Sequence, residues 1–340
     1  MKWTIQDAIA RLFNRGNLSR EESARIFRAI MAGQCTDAQI GAFLAAMRMK
    51  GETADEIAGA AEAMRESATR IDVDAEPLID TCGTGGDGLE TFNISTATAL
   101  VVAGAGVHVA KHGNRAASSR SGSADVLAAL GVDLDAPPER VARCIEQAGV
   151  GFLYAVRFHG AMRHAVGPRR EIRARTIFNL LGPLTNPAGA RRQLVGVFHV
   201  DWVEPVAQAL GSLGAERVMV VAGADGMDEI TLTDLTAVAE WDGRAVRCYE
   251  LAPEDAGLDR CDPKALAGGD AERNAAIIRS ILGGERGAPR DITLLNAAAA
   301  LRVAGVAEDL REGVARAAEA IDSGSAQRAL ASLVRLSHER

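Results

Sequence analysis

With 340 residues, 48% of them hydrophobic and 24% charged, the chain is long enough for about two domains around a large core. A net charge of −7 argues against a general nucleic-acid or anionic-membrane binder, and aromatics at 4% leave little for a base-stacking surface. Five scattered cysteines without C-x-x-C spacing suggest neither a zinc knuckle nor a redox dithiol; with no signal peptide recognised, they fit a reducing cytoplasm. The most apolar run, Thr98 to Val109, is too short and too glycine-broken to span a membrane.

The first segment reads as helical, with Ile5, Ile9, Leu12 and Phe13 recurring at helical spacing. Three later helix starts carry a capping box: Ser19 with Glu22, Thr36 with Gln39, and Thr53 with Glu56. Ile26, Ile30, Ile40, Phe43, Leu44 and Met47 follow on one face. The expectation is a bundle of about four short helices over residues 1–70. So small a bundle should pack on the rest of the chain or on a second subunit.

From Leu78 the rhythm becomes strand, loop, helix. Leu78 to Asp80 and Val107 to Ala110 read as strands, with a small-residue helix from Ser95 to Ala105 between them. Helices follow at Ala124 to Leu130 and Val141 to Ala148, ended by Gly131 and Gly149, then a strand at Phe152 to Tyr154. Arg163 to Leu181 is mixed and partly helical, and residues 163–185 are expected to rejoin the bundle. Gly182 to Pro187 is a turn-rich connector. Gln193 to His199 and Glu216 to Ala222 read as buried strands around a helix from Trp202 to Leu213. Thr236 to Leu251 alternates as antiparallel edge strands do, and residues 271–340 are mostly helix. The fold class is α/β: a small N-terminal helical bundle plus a larger α/β domain, 71–340, with a mostly parallel central sheet.

Chemistry concentrates at predicted strand ends, where such sheets bind anions. Gly83, Gly85, Gly86 and Gly88 can fold the backbone tightly and gather N–H groups for a polyphosphate, or simply make a turn. The pattern is neither G-x-G-x-x-G nor a P-loop. Ser95 or Thr96 can cap the next helix, and a phosphate can share that N-terminus. A second loop, Lys111 to Ser123, offers two cations and several hydroxyls, suited to phosphate. Asp228 and Glu229 follow the strand Val218 to Val221 and are either solvated or ligands for Mg²⁺, with Asp225 a competing ligand. His112 and His159 are structural or proton carriers. Arg169 and Arg170 face water or hold a carboxylate. Cys82 reads as a small buried residue at a strand end.

Together these stretches resemble the anthranilate phosphoribosyltransferases over nearly the whole chain. The marks are GTGGD at Gly83 to Asp87, FNIST at Phe92 to Thr96, KHGNRAASSRSGSAD at Lys111 to Asp125, RTIFNLLGPLTNPAG at Arg175 to Gly189, and Asp228-Glu229. Pyrimidine nucleoside phosphorylases share the fold and a glycine loop but lack the KHGNR and FNLLGPLTNP combination. They are the competing enzymatic reading; a nucleic-acid-binding relative of the same fold is the non-enzymatic one.

The resemblance implies Mg²⁺-dependent transfer of phosphoribose from phosphoribosyl pyrophosphate (PRPP) to the amine of anthranilate, in tryptophan biosynthesis. It implies a homodimer joined through the helical domains and leaves open a glutamine amidotransferase (anthranilate synthase) partner. Carried over by motif, Gly83, Gly86, Asp87, Thr91, Asn93, Ile94, Ser95, Thr96, Lys111, His112, Gly113, Asn114, Arg115, Ala116, Ala117, Ser118, Ser119 and Ser123 would line the PRPP site. Ser95 and Glu229 would hold one metal ion, Asp228 and Glu229 a second. Gly83, Asn114 and Arg169 would meet anthranilate. Here the sequence reads Gly-Pro-Arg-Arg-Glu-Ile-Arg where many members read Pro-Val-Arg-Arg-Glu-Leu-Gly, so Pro168 and Arg173 depart and Arg170 is the alternative. An aromatic amine is already unprotonated at neutral pH, so no residue is assigned as acid or base.

Overall fold

The computed structural model describes residues 3–116 and 120–339. Ala117, Ser118 and Ser119 of the expected phosphate loop lie outside the described residues.

Four helices come first: α1 (Ile5–Phe13), α2 (Arg20–Met31), α3 (Asp37–Lys50) and α4 (Ala54–Ser67). All three expected capping boxes form, and Thr4 with Asp7 adds a fourth at α1. Each places a hydroxyl on an orphan N–H and a carboxyl or amide on the cap N–H, so each start is set locally. Ile26, Ile30, Ile40, Phe43, Leu44 and Met47 are buried as expected, but Phe13 is 70% exposed. Ile5, Ala8 and Leu12 make the buried stripe of α1, and Phe13 sits about a quarter-turn off it at helical spacing.

The α/β part runs β1 (Leu78–Gly83), α5 (Ile94–Gly104), β2 (His108–Gly113), α6 (Ser123–Ala129), α7 (Pro138–Ala148) and β3 (Val150–Tyr154). Then come α8 (Ala155–Phe158), α9 (Arg163–Ile172), α10 (Phe178–Leu181), β4 (Arg192–Gly196), α11 (Val203–Ser212) and β5 (Arg217–Gly223). The edge strands β6 (Thr236–Trp241) and β7 (Val246–Leu251) precede α12 (Ala271–Leu282), α13 (Ala288–Ala304), α14 (Leu310–Asp322) and α15 (Ser325–His338). Among the described residues no helix is long and apolar enough to cross a membrane.

Seven strands form one sheet in the order β3-β2-β1-β4-β5-β6-β7. The first five pair in parallel, and β6 and β7 add antiparallel, as the alternation in 236–251 predicts. Strand side chains alternate between two cores. Met219 and Val221 of β5 join α5 and α12–α15 on one face. Val218 and Val220 join α11 and the N-terminal helices on the other. Ala165, Ile177, Phe178, Leu180, Leu181 and Leu184 enter that second core beside α1–α4.

From β1 the chain winds outward to β3, then returns to place β4 on the other side of β1. The reversal opens a crevice at the carboxyl ends of β1 and β4, where open α/β sheets take their ligands. Several boundaries differ from expectation: β1 runs on through Gly83, α7 starts at Pro138 and β3 at Val150. Strand β2 continues through Lys111, His112 and Gly113, so the second loop begins only at Asn114. Strand β4 stops at Gly196, because the chain then turns into a short 3₁₀ segment, Val200–Trp202.

Candidate active site

The crevice is built from the ends of four strands, β1, β2, β4 and β5, and one helix start. The turn after β1 puts Gly85, Gly86 and Gly88 at φ 65°, 77° and 84°, left-handed backbone that glycine adopts without a Cβ clash. The loop after β5 brings Asp228 against this turn. Gly85 N–H donates to Asp228 Oδ2 at 2.7 Å, and any Cβ at Gly83 would collide with that carboxylate. A Cβ at Gly196, the last residue of β4, would collide with the Asp228 carbonyl. Small residues at two strand ends thus admit an acidic loop from a third.

Helix α5 begins at the same place. Ser95 N–H donates to Glu229 Oε1 at 3.0 Å. The Lys111 ammonium, at the end of β2, donates to the Thr81 carbonyl at 2.6 Å and to Ser95 Oγ at 3.2 Å. Lys111 is only 2% exposed, so it is part of the crevice floor rather than of a solvated loop. The expected cap is corrected: the cap position of α5 is Asn93, which makes no side-chain cap bond, and Ser95 and Thr96 lie inside the first turn. Asn93 Nδ2 instead donates to the Ser121 carbonyl at 3.2 Å, tying α5 to the second loop, and its Oδ1 accepts from Asn274 at 2.9 Å. Ile94 and Thr96 are buried, and Thr96 Oγ1 has no partner among the described residues.

The second loop is folded around one acid. Asp125 accepts from the Arg115 guanidinium at 2.6 Å and from the Ala116 and Gly122 N–H groups at 3.2 and 3.0 Å. Asn114 Oδ1 accepts from the Arg115 N–H at 2.8 Å, and Ser123 Oγ donates to the Asn114 carbonyl at 3.3 Å. Thr91 is held by a bridge to Ala267.

Charge at the crevice is poorly balanced. Asp228 and Glu229 are half-exposed as residues, yet their carboxyl groups are walled in by protein. Burial, then repulsion from Glu229 and Asp87, pushes Asp228 well above the usual carboxylate range. Burial raises Glu229 to about 7, against the pull of Lys111, and raises Asp87 as well. Asp225 is different. Its carboxylate is filled by Thr231 and Thr233 hydroxyls and by the Met227 N–H at 3.0 Å, so it shapes its own loop. Among the described residues no three His, Cys, Asp or Glu side chains converge into a complete cage. The donors present are two crowded carboxylates and the Ser95 hydroxyl, all hard oxygens. This set suits Mg²⁺, which keeps waters and shares its sphere with substrate phosphates.

Other expected residues have contacts of their own. His112 Nδ1 donates to the Gly182 carbonyl at 3.0 Å, which leaves Nε2 to accept from His159 Nε2 at 3.2 Å. Burial, with mutual repulsion, lowers His112 to about 3, and burial lowers His159 to about 4, so both stay neutral spacers. Cys82 is buried and its thiol is pushed up, which removes it as a nucleophile. Arg169 stands on α9, half-buried, with its guanidinium 5.0 Å from the Phe178 ring centroid; Arg170 is exposed. Pro168 lies inside α9, and Arg173 ends it at φ 51°, a left-handed conformation that glycine takes more readily. Sequence reasoning missed Thr84, Gly196, Phe198 and Arg175. Two of them lay inside quoted motifs without being given a role, Thr84 in GTGGD and Arg175 at the head of RTIFNLLGPLTNPAG.

A helical bundle on an α/β domain, with donors and acids meeting at the switch point, defines a class of transferase. The description "Glycosyl transferase family, helical bundle domain" matches residues 6–68, and "Glycosyl transferase family, a/b domain" matches residues 75–327. The anthranilate phosphoribosyltransferase of Anaeromyxobacter dehalogenans (strain 2CP-C) is 59% identical over 330 residues, 97% of this chain and 98% of that one. The crystal structure of the enzyme of that name from Thermus thermophilus superposes with a TM-score of 0.93 at 48% identity, covering 98% of this chain and 100% of that one. The Saccharomyces cerevisiae enzyme in complex with PRPP and Mg superposes with a TM-score of 0.89 at 27% identity, covering 98% and 97%. The chain belongs to the anthranilate phosphoribosyltransferase family, glycosyltransferases of tryptophan biosynthesis.

Proposed function

We propose that the crevice transfers phosphoribose from PRPP to the amine of anthranilate, releasing pyrophosphate. The observation that carries this reading is the convergence of Gly85 on Asp228, Ser95 on Glu229, and Lys111 on Ser95, which joins one stretch of chain to an acid pair 134–143 residues further on. The two acids accept from the Gly85 and Ser95 N–H groups, amide donors of the kind a phosphate would take. PRPP enters with its pyrophosphate between the glycine turn and the start of α5. Its remaining contacts come from Asp87, Thr91, Asn93, Lys111 and the loop from Asn114 to Ser123. Asp228, Glu229 and Ser95 would hold Mg²⁺, two ions in this reading, and bound Mg²⁺ supplies neutralising charge for the departing pyrophosphate. The glycine-turn amides stabilise the same developing charge from fixed positions.

Arg169 takes the anthranilate carboxylate, with Asn114 and Gly83 beside the ring. Support for Arg169 over Arg170 is its inward, half-buried placement on Phe178. Burial lowers its pKa, as it does for a cation taken out of water, and a substrate carboxylate would offset that cost. Placement of a neutral amine in line behind C1 of the sugar does the rest. The helical domain comprises residues 1–70 with 163–185, and the α/β domain the remainder of 71–340. Two copies join through the helical domains, where Phe13 and Met49 are exposed on packed helices α1 and α3. The reading extends to a cytoplasmic enzyme and a glutamine amidotransferase partner. The decisive test is anthranilate fluorescence: it should fall when PRPP and Mg²⁺ are added, and a signal unchanged with active PRPP would overturn the proposal.

A further inference from the structure

Arg175 stands between α9 and α10. Its guanidinium donates to the Gly86 carbonyl and lies over the Phe198 ring, 4.4 Å from the centroid. Phe198 in turn donates its N–H to Thr84 Oγ1 at 3.1 Å, and Thr84 N–H donates to the Gly196 carbonyl at 2.9 Å. The glycine turn is therefore held at Thr84, by the Phe198 N–H and the Gly196 carbonyl, and at Gly86, by the Arg175 guanidinium, which packs on the Phe198 ring.

We infer that Arg175 is a positioning residue for the PRPP reaction, holding the glycine turn with its N–H groups aimed at the pyrophosphate. The inference rests on the site reading above. A turn with glycines at φ 65°, 77° and 84° has more backbone freedom to lose than any other sequence. Its amides converge on an anion only if something outside fixes it. Arg175 ties the turn through the Gly86 carbonyl, so the tie itself consumes none of the turn's N–H groups. A guanidinium suits the task because one planar group can donate in its plane and stack on an aromatic face at once. Lysine can donate but has no flat face to stack. The tether also starts from the segment that carries Arg169, so the piece of chain that would read anthranilate also braces the turn that would read PRPP.

The test compares Arg175→Ala, Arg175→Lys and Phe198→Leu in the full chain. Removing one hydrogen bond from a cation predicts a KM for PRPP raised about tenfold in Arg175→Ala, with kcat and the KM for anthranilate changed less than about twofold. Amide hydrogen exchange should accelerate at residues 84–88 and nowhere else. Arg175→Lys should recover part of the PRPP affinity, and Phe198→Leu should lose a smaller part. Equal changes in both KM values, no change in either, or exchange that rises throughout the α/β domain would overturn the inference. If wild-type protein fails to turn over anthranilate, the site reading falls instead; local exchange at 84–88 then decides the bracing role alone.

Discussion

Two acidic sites in this molecule are built on opposite principles. In the helical bundle, Glu56 is fully buried, and each of its oxygens is spoken for. Oε1 accepts from the Leu18 N–H at 2.9 Å, and Oε2 accepts from Lys50 Nζ and the Thr53 N–H, both at 2.8 Å. At the sheet switch point, Asp228 and Glu229 stand side by side with one backbone donor each, Gly85 and Ser95. The cation that acts on both is Lys111, itself pushed down by burial. A carboxylate kept for stability is saturated by its own fold. A carboxylate kept for a ligand is given fewer partners by its own fold.

The sharpest break in the comparison comes from neutralising both pairs of oxygens in turn. Asp228→Asn with Glu229→Gln should cut kcat/KM with PRPP by about a hundredfold or more, on the order of what losing preorganised charge stabilisation costs elsewhere. The melting temperature should hold or rise, because like charges no longer crowd the crevice. If both acids can be neutralised with the rate intact, they are not the metal ligands. Glu56→Gln should do the reverse. Breaking a buried pair strands the Lys50 charge and should cost about 3–5 kcal/mol in denaturant unfolding. The kcat/KM per folded molecule should stay at the wild-type value; a large catalytic loss would erase the contrast between the sites. A smaller effect is expected at Arg169→Ala. Losing a charge-assisted contact should raise the KM for anthranilate about tenfold to a hundredfold while leaving that for PRPP nearly unchanged. Equal changes for both substrates would move the carboxylate contact elsewhere, Arg170 being the next residue to substitute.

The same contrast explains what could be read before the structure. Capping boxes are local: Thr53 and Glu56 sit three residues apart, and their pairing follows from spacing alone. Nothing local says that Glu56 also receives Leu18 and Lys50, since those contacts exist only once α1 to α4 have packed. The strand rhythm from Leu78 onward was legible because buried parallel strands are short apolar runs between turns. Their order was not, because the reversal between β1 and β4 is a property of pairing across the sheet. At the crevice, the glycine turn, the start of α5 and the acid pair were each visible as motifs. That Gly196 makes room for Asp228, or that Arg175 reaches Gly86, is visible only when β4 and the α9–α10 segment are in place. Lys111 was misplaced into a loop for a related reason: a lysine at a strand end reads as solvent-facing until a carbonyl and a hydroxyl are found around its ammonium.

The histidine pair gives the smallest and most specific test, because it is polar, buried and uninvolved in charge balance at neutral pH. His112 and His159 titrate at about 3 and about 4 in the folded chain, below the usual 6.5, with burial the main cause. Unfolded histidines gain protons as pH falls through about 6.5, whereas the folded pair does not until about 4 and below. The unfolded state then binds more protons, so the pair's contribution is whole above pH 6.5 and is lost as pH falls towards 4. His159→Asn keeps a donor for His112 Nε2 and removes one titrating group. Unfolding free energy plotted against pH should lose up to about 1.4 kcal/mol per pH unit of slope between about pH 6 and 4.5, relative to wild type. An identical slope in the variant would mean that the imidazoles are charged in the folded chain, and the 3.2 Å contact between their Nε2 atoms would then need an anion between or beside them.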